Sequence, residues 1–188
     1  EDFACLNSLV GNTIFTPSDN NTTKFIVKDF IKNPRFSYIR LDRDKQPELN
    51  PDITKDDYEN GFKIFGDLTK DKIAIISHGR IFHNCLEVHK KKLNETICIN
   101  LFRSKPFPKN IIEKLRNVKK ILVVDEQTPG GNLGSCVFEN FSRNNFFPKI
   151  KNRSLDEIYF FENGGRDYLL NKHGLSDNDI IKDLESLK

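Results

Sequence analysis

The sequence predicts an α/β fold built on an open, mostly parallel, doubly wound sheet, and three observations predict it. Short continuous apolar runs at 73–77, 96–101 and 121–125 have the length of strands buried on both faces. Stretches of helical periodicity, about 10–15 residues each, alternate with these runs, the pattern of βαβ units. A chain of 188 residues is long enough for one domain and part of a second.

Composition narrows the class further. Sixteen Phe and many short Ile, Leu and Val runs are enough to build a core, which argues against disorder. The 30 basic and 27 acidic residues nearly cancel, leaving a formal charge of +3. That is no concentrated basic face, so no nucleic-acid partner is expected. No apolar stretch approaches the ~20 residues that span a bilayer, so no membrane is expected either. Cys5, Cys85, Cys98 and Cys136 show no metal-ligand spacing. Cys85 and Cys98 fall in apolar runs, the setting of buried free thiols, and this suits a reducing cytoplasm.

Taken in order, residues 13–17 read as a short strand stopped by Pro17. Ser18, Asp19 and Asn20 supply caps for a helix over 21–32, in which Ile26 and Val27 recur four positions on as Phe30 and Ile31. Alternation over 37–41 gives a second strand. Residues 42–57 are polar, hold Pro47 and Pro51 and lack periodicity, so they read as a linker. Beyond it come strand 73–77, helix 80–92 with Ile81, Cys85 and Leu86 on one side, strand 96–101, helix 109–117 and strand 121–125. A Gly-rich loop over 129–134 leads into a helix reaching about residue 140; the last elements are strand 158–161 and a capped helix over 176–187. Right-handed crossovers place every parallel strand's carboxyl end on one edge, where such sheets bind ligands.

Few residues suggest chemistry. Arg40 and Arg43 stand at and beyond a strand end, and a guanidinium offers a planar fork for phosphate or carboxylate. They point to opposite faces unless the chain bends after Leu41. An internal ion pair with Asp42, Asp44 or Glu48 is the alternative. Gly130-Gly131-Asn132-Leu133-Gly134-Ser135 opens a helix and is either an anion cradle or a tight turn with close helix packing. It lacks both the GxGxxG spacing and the P-loop lysine. His78 falls just past a buried strand, where an imidazole could bind a ligand or move a proton, but it has no catalytic partner in sequence reach. Asp125 and Glu126, at the end of strand 121–125, are either acids of a site or a solvated loop start. His83, His89 and His173 form no metal set. No nucleophile elbow, HExxH or Ser/His/Asp pattern is present.

Several stretches nevertheless resemble one family. Glu1-Asp2-Phe3-Ala4, Ile14-Phe15-Thr16-Pro17-Ser18-Asp19 and Tyr38-Ile39-Arg40-Leu41-Asp42-Arg43 resemble the closing third of the pyrimidine-binding domain in the transketolase family. Ile75-Ile76-Ser77-His78-Gly79, Lys105-Pro106-Phe107-Pro108 and Val123-Val124-Asp125-Glu126 followed by Gly130-Gly131-Asn132-Leu133-Gly134-Ser135 resemble that family's C-terminal domain. Their shared order covers nearly the whole chain.

The resemblance implies that 1–44 ends a pyrimidine-binding-type domain, 45–60 is a linker and 61–188 is a transketolase C-terminal domain. It further implies part of a transferase that moves two-carbon ketol units between sugar phosphates, inactive alone. The complete enzyme would use thiamine diphosphate and Mg²⁺, with the activating glutamate and the cofactor ligands upstream of Glu1. This chain is then expected to hold no catalytic, cofactor-binding or metal residue. Arg43 matches the arginine that helps hold the sugar phosphate, while Arg40 matches a structural one. The implied partners are a second copy of the chain, in a homodimer, and the N-terminal thiamine-diphosphate-binding half. Relatives include 1-deoxyxylulose-5-phosphate synthase, whose pattern fits Arg43-Asp44-Lys45 less well. A stand-alone α/β binding module and the beta subunit of a 2-oxoacid decarboxylase are the alternatives.

Overall fold

Five strands form the central sheet of the computed structural model, which describes residues 2–43, 46–49, 53–68 and 72–188. Glu1, Asp44, Lys45 and Pro51, each part of a stretch read above, lie outside the described residues. The strands are β3 (Lys63–Phe65), β4 (Ile73–Ser77), β5 (Thr96–Asn100), β7 (Lys120–Val124) and β8 (Lys149–Arg153), ordered β3-β5-β4-β7-β8. All neighbours are parallel except β3, which runs antiparallel to β5. Every residue of β4 and β5 is buried, as continuous apolar runs covered on both faces require.

The pleat divides these side chains between two cores. Ala74, Ile76, Ile97, Ile99, Ile121 and Val123 face α5 (Asn110–Lys114) and α6 (Leu133–Arg143), through residues such as Ile111, Val137 and Phe141. Ile73, Ile75, Cys98, Leu122 and Val124 face the opposite way, onto α4 (Ile81–Lys91), α7 (Gly165–Lys172) and α8 (Asp177–Leu187). Helices on both faces make the sheet doubly wound. Helix α8 is started by a capping box, in which the Ser176 hydroxyl accepts from Asp179 N–H and the Asp179 carboxylate accepts from Ser176 N–H. Its Ile180, Leu184 and Leu187, spaced at helical period, are buried.

A second sheet has the order β2-β1-β6: β1 (Thr13–Phe15) pairs in parallel with β2 (Ser37–Ile39) and antiparallel with β6 (Arg103–Lys105). Helix α2 (Asn20–Lys32) packs on it, capped by the Asp19 carboxylate, which accepts from Thr22 N–H at 2.8 Å. Phe15, Ile26, Ile53 and Phe102 form a third core, with Phe30 and Tyr58 at its side. Burying side chains of this size contributes about 1.5–3 kcal/mol each. The short helix α1 (Asp2–Asn7) places Phe3 in the interior.

Three expectations need correction. Residues 158–161 are not a strand, and Tyr159 and Phe161 are 81% and 89% exposed. The position beside β7 belongs instead to β8, whose polar sequence Lys-Ile-Lys-Asn-Arg suits a sheet edge, where charge blocks further pairing. The end of the stretch read as a linker is helix α3 (Lys55–Asn60), nucleated by a Thr54–Asp57 capping box. The ion pair of Arg40 is made with Asp2, a partner the sequence reading did not include. No helix among the described residues is long and apolar enough to cross a membrane.

Candidate functional site

The chain leaves β4 toward β5 on one side and later returns to lay β7 on the other, so the winding direction reverses between β4 and β7. Such a reversal opens a crevice beyond the carboxyl ends of the strands. From β4 it receives His78, Gly79 and Arg80, and from β7 Asp125 and Glu126. A cavity of about 380 Å³ lies there, roofed by Thr16, Pro17, Arg40, Leu41 and Asp42 from the β1–β2 side.

Away from the cavity lining, at the ends of β4 and β7, His78 Nε2 lies 3.1 Å from Asp125 Oδ1, both side chains 1% exposed. The other Asp125 oxygen accepts from Leu133 N–H at 2.8 Å. Burial alone would raise the Asp125 carboxyl; facing His78, the hydrogen bonds from His78 and Leu133 and the charge of Arg40 outweigh it and hold the group below the usual carboxylate range. Phe3 meets the His78 ring edge-on at 5.6 Å and seals the pair from α1. The geometry is that of a joint between β4, β7 and α6.

The Gly-rich loop is likewise a packing device. The Asn132 side chain accepts from Ser135 N–H at 3.0 Å and Asp125 takes Leu133 N–H, so the chain's own groups occupy the start of α6. Gly131 holds φ of +74°, and a Cβ there would meet Ala4 Cβ at 2.8 Å. At Gly134 a side chain would run into Asn152 of β8. Tight turn and close helix packing, not an anion cradle, account for the glycines.

Arg40 Nε stands 3.2 Å from Asp2 Oδ2, and Tyr38 OH donates to the same oxygen at 2.6 Å. This fixes Arg40 as a structural cation tying β2 to α1. Arg43 lies at a bend beyond β2, exposed, and does not line the cavity. Arg80 Nη1 faces Asp42 at 3.6 Å. His83 Nε2 lies 2.7 Å from Ser18 O, and His89 Nδ1 lies 3.0 Å from Thr96 Oγ1. Burial lowers both imidazoles: hydrogen bonding to Ser18 O and the charge of Asp19 offset part of this at His83, and the charge of Lys72 adds to it at His89.

Arg166 escapes the sequence reading, and His173 is weighed there only as a metal ligand. Arg166, Leu169 and Leu170 line the cavity from α7, and His173 from the capping residue just past its end. Their spacing of i, i+3, i+4 and i+7 is one helix face, a legible signal hidden by the two glycines that open the helix.

A doubly wound α/β domain, joined to a smaller sheet and carrying a cavity at its switch point, is the class of protein these features define. The family model for the transketolase C-terminal domain matches residues 67–180, and the chain belongs to that family. It is 26% identical over 189 residues to one subunit of the apulose-4-phosphate transketolase of Actinobacillus succinogenes, covering 98% of this chain and 59% of that protein. A putative transketolase C-terminal section from Methanocaldococcus jannaschii is 23% identical, with 97% and 57% covered. The chain thus spans less than two thirds of these curated relatives. Among solved structures, a split-gene transketolase described as an inactive beta4 tetramer superposes with a TM-score of 0.85 at 25% identity, over all of this chain and 61% of that one. Transketolase from Pichia stipitis superposes with a TM-score of 0.71 at 16% identity, over 98% of this chain and 26% of that one, a likeness of fold.

Proposed function

We propose that this chain is the C-terminal portion of a transketolase-like enzyme that moves two-carbon ketol units between sugar phosphates, and that it works only with a polypeptide supplying the thiamine-diphosphate-binding half. The whole-length likeness to a split-gene transketolase chain carries this reading. A relative named as one subunit of a transketolase supports it, because such a name implies a companion polypeptide. Residues 1–44 then close a pyrimidine-binding-type domain, and Arg43, exposed beyond β2, is the chain's clamp for the sugar phosphate. Four free cysteines support a cytoplasmic setting.

Thiamine diphosphate and Mg²⁺ belong to the other half. Among the described residues no three His, Cys, Asp or Glu side chains form a metal site. The chain's own carboxylate and amide occupy the helix start nearest the Gly-rich loop. That helix start therefore has no free N–H groups for the cofactor's phosphates at Leu133 and Ser135.

Reconstitution tests the reading. The natural full-length chain, mixed with its genomic companion, thiamine diphosphate and Mg²⁺, should transfer a two-carbon unit from xylulose 5-phosphate to an aldose phosphate. Neither polypeptide should do so alone. Turnover by this chain alone, or turnover only of a 2-oxo acid by the pair, would refute the proposal.

A further inference from the structure

Helix α7 presents one face to the switch-point cavity, and that face has two polar ends and an apolar middle. Arg166 stands at one end, His173 at the other, with Leu169 and Leu170 between them. Seven residues of helix separate the ends by about 10 Å. Leu41 and Phe160 line the cavity beside the leucines, so the middle is apolar from several directions.

Both polar ends are under-used. Arg166 Nη1 pairs with Glu126 Oε1 at 2.5 Å, yet its Nη2 is buried with no hydrogen-bond partner among the described residues. His173 Nε2 is in the same condition, its side chain 9% exposed and the nearest carboxylate, Glu162 Oε2, 4.0 Å away. The Phe160 ring meets the imidazole edge-on at 4.1 Å and fixes its orientation. Buried nitrogens are normally satisfied, so two orphans on residues that line one cavity mark groups that a ligand would complete once these side chains turn toward it. Glu126 beside Arg166 disfavours a dianion, and the single unpaired guanidinium nitrogen suits a carboxylate.

We propose that the cavity binds a small aryl or branched-alkyl carboxylate bearing a hydroxyl or carbonyl at the end remote from its acid group. The carboxylate takes Arg166 Nη2, the apolar body lies on Leu169, Leu170 and Phe160, and the distal oxygen pairs with His173 Nε2. This reading does not depend on ketol transfer; a chain with no such activity would keep the same cavity.

Titration calorimetry on the natural full-length polypeptide tests it, with 3-(4-hydroxyphenyl)propionate, 3-phenylpropionate and acetate as probes. The hydroxylated acid should bind saturably and most tightly, and acetate not measurably. Arg166→Gln should weaken both aryl acids by about tenfold or more through loss of the charge-assisted bond. His173→Phe keeps a ring but removes Nε2, and should abolish the advantage of the hydroxylated acid over 3-phenylpropionate. Thermal melts establish that each variant folds; should Arg166→Gln not fold, the probe comparison on the unmodified chain and on His173→Phe still decides. No binding of either aryl acid, equal binding of acetate, or unchanged affinity in a folded variant would overturn the proposal.

Discussion

Arg153 of β8 grips the Asp183 carboxylate of α8 through two nitrogens, with Nη2 2.6 Å from Oδ1. Lys151 Nζ approaches the same carboxylate at 2.8 Å, and the Asp183 side chain is 2% exposed. The edge strand is thereby tied to the last helix. Replacing Arg153 by Met should cost about 1–2 kcal/mol, less than a fully buried bidentate pair, because Arg153 is 30% exposed and Lys151 remains. Thermal unfolding should show a midpoint lower by about 2–8 °C; an unchanged midpoint would mean that the fork holds nothing.

Acid should weaken the fold through Asp125 and Asp183. At both, burial would raise the carboxyl, but His78, Leu133 and Arg40 around Asp125, and Arg153 and Lys151 around Asp183, hold it below the usual range. A depressed carboxyl contributes stability that is fully present above its unfolded pKa of about 3.9 and is lost as pH falls through the folded value. Denaturant midpoints should therefore drop below about pH 4. The drop should be shallower in Asp183→Asn, already less stable near neutrality. Parallel curves for the two proteins would contradict this.

At the Gly-rich turn, Gly131→Ala should be costly and Gly130→Ala close to neutral. The first combines a left-handed backbone with a contact against Ala4, whereas a Cβ at Gly130 meets nothing within 4 Å. The left-handed conformation alone is worth about 1–2 kcal/mol. Equal stability of the two variants in urea would show that the turn relaxes freely.

Burial pushes the Cys85 and Cys136 thiols up to about 12 and raises Cys98 well above its ordinary value. Cys5 is exposed. A thiol-disulfide reagent at mildly alkaline pH should modify only Cys5 in the native chain and all four thiols after denaturation. Prompt native modification of Cys85 or Cys98 would show that the core opens readily.

In a reconstituted complete enzyme, Arg43→Ala should reduce sugar-phosphate use by about 10- to 150-fold in kcat/KM, the equivalent of losing a charged hydrogen bond of about 1.5–3 kcal/mol. Non-phosphorylated sugars should be affected far less. Equal losses for both substrates would remove Arg43 from phosphate recognition.

The central strands β4, β5 and β7 were legible because a strand covered on both faces must be apolar throughout, and few other elements are. Strand β8 was not, since an edge strand takes charge, and its Lys-Ile-Lys-Asn-Arg sequence reads as a loop. The apolar run at 158–161 misled for the opposite reason: its aromatics remain exposed, so hydrophobicity there does not report burial. The Thr54–Asp57 box of α3 was visible in principle but lay in a stretch without apolar period. Partner choice was beyond reach. Asp2 and Arg40 are brought together only by the β1–β2 sheet, and Arg166 joins Glu126 only through the placement of α7 against the switch point.

Strand β6 lies within the family's matched span, yet its hydrogen-bonding neighbour is β1, far upstream. Thr16 N–H donates to Phe102 O at 2.8 Å, and Lys105 Nζ reaches the backbone oxygens of Asn7 and Leu9. A genetic rearrangement that transplanted residues from 67 onward into another protein would strip β6 of its neighbour and bare Phe102 to water. The stretch that matches the family model is therefore not self-sufficient in this chain, since β6 and Phe102 are completed by residues from β1 and α2.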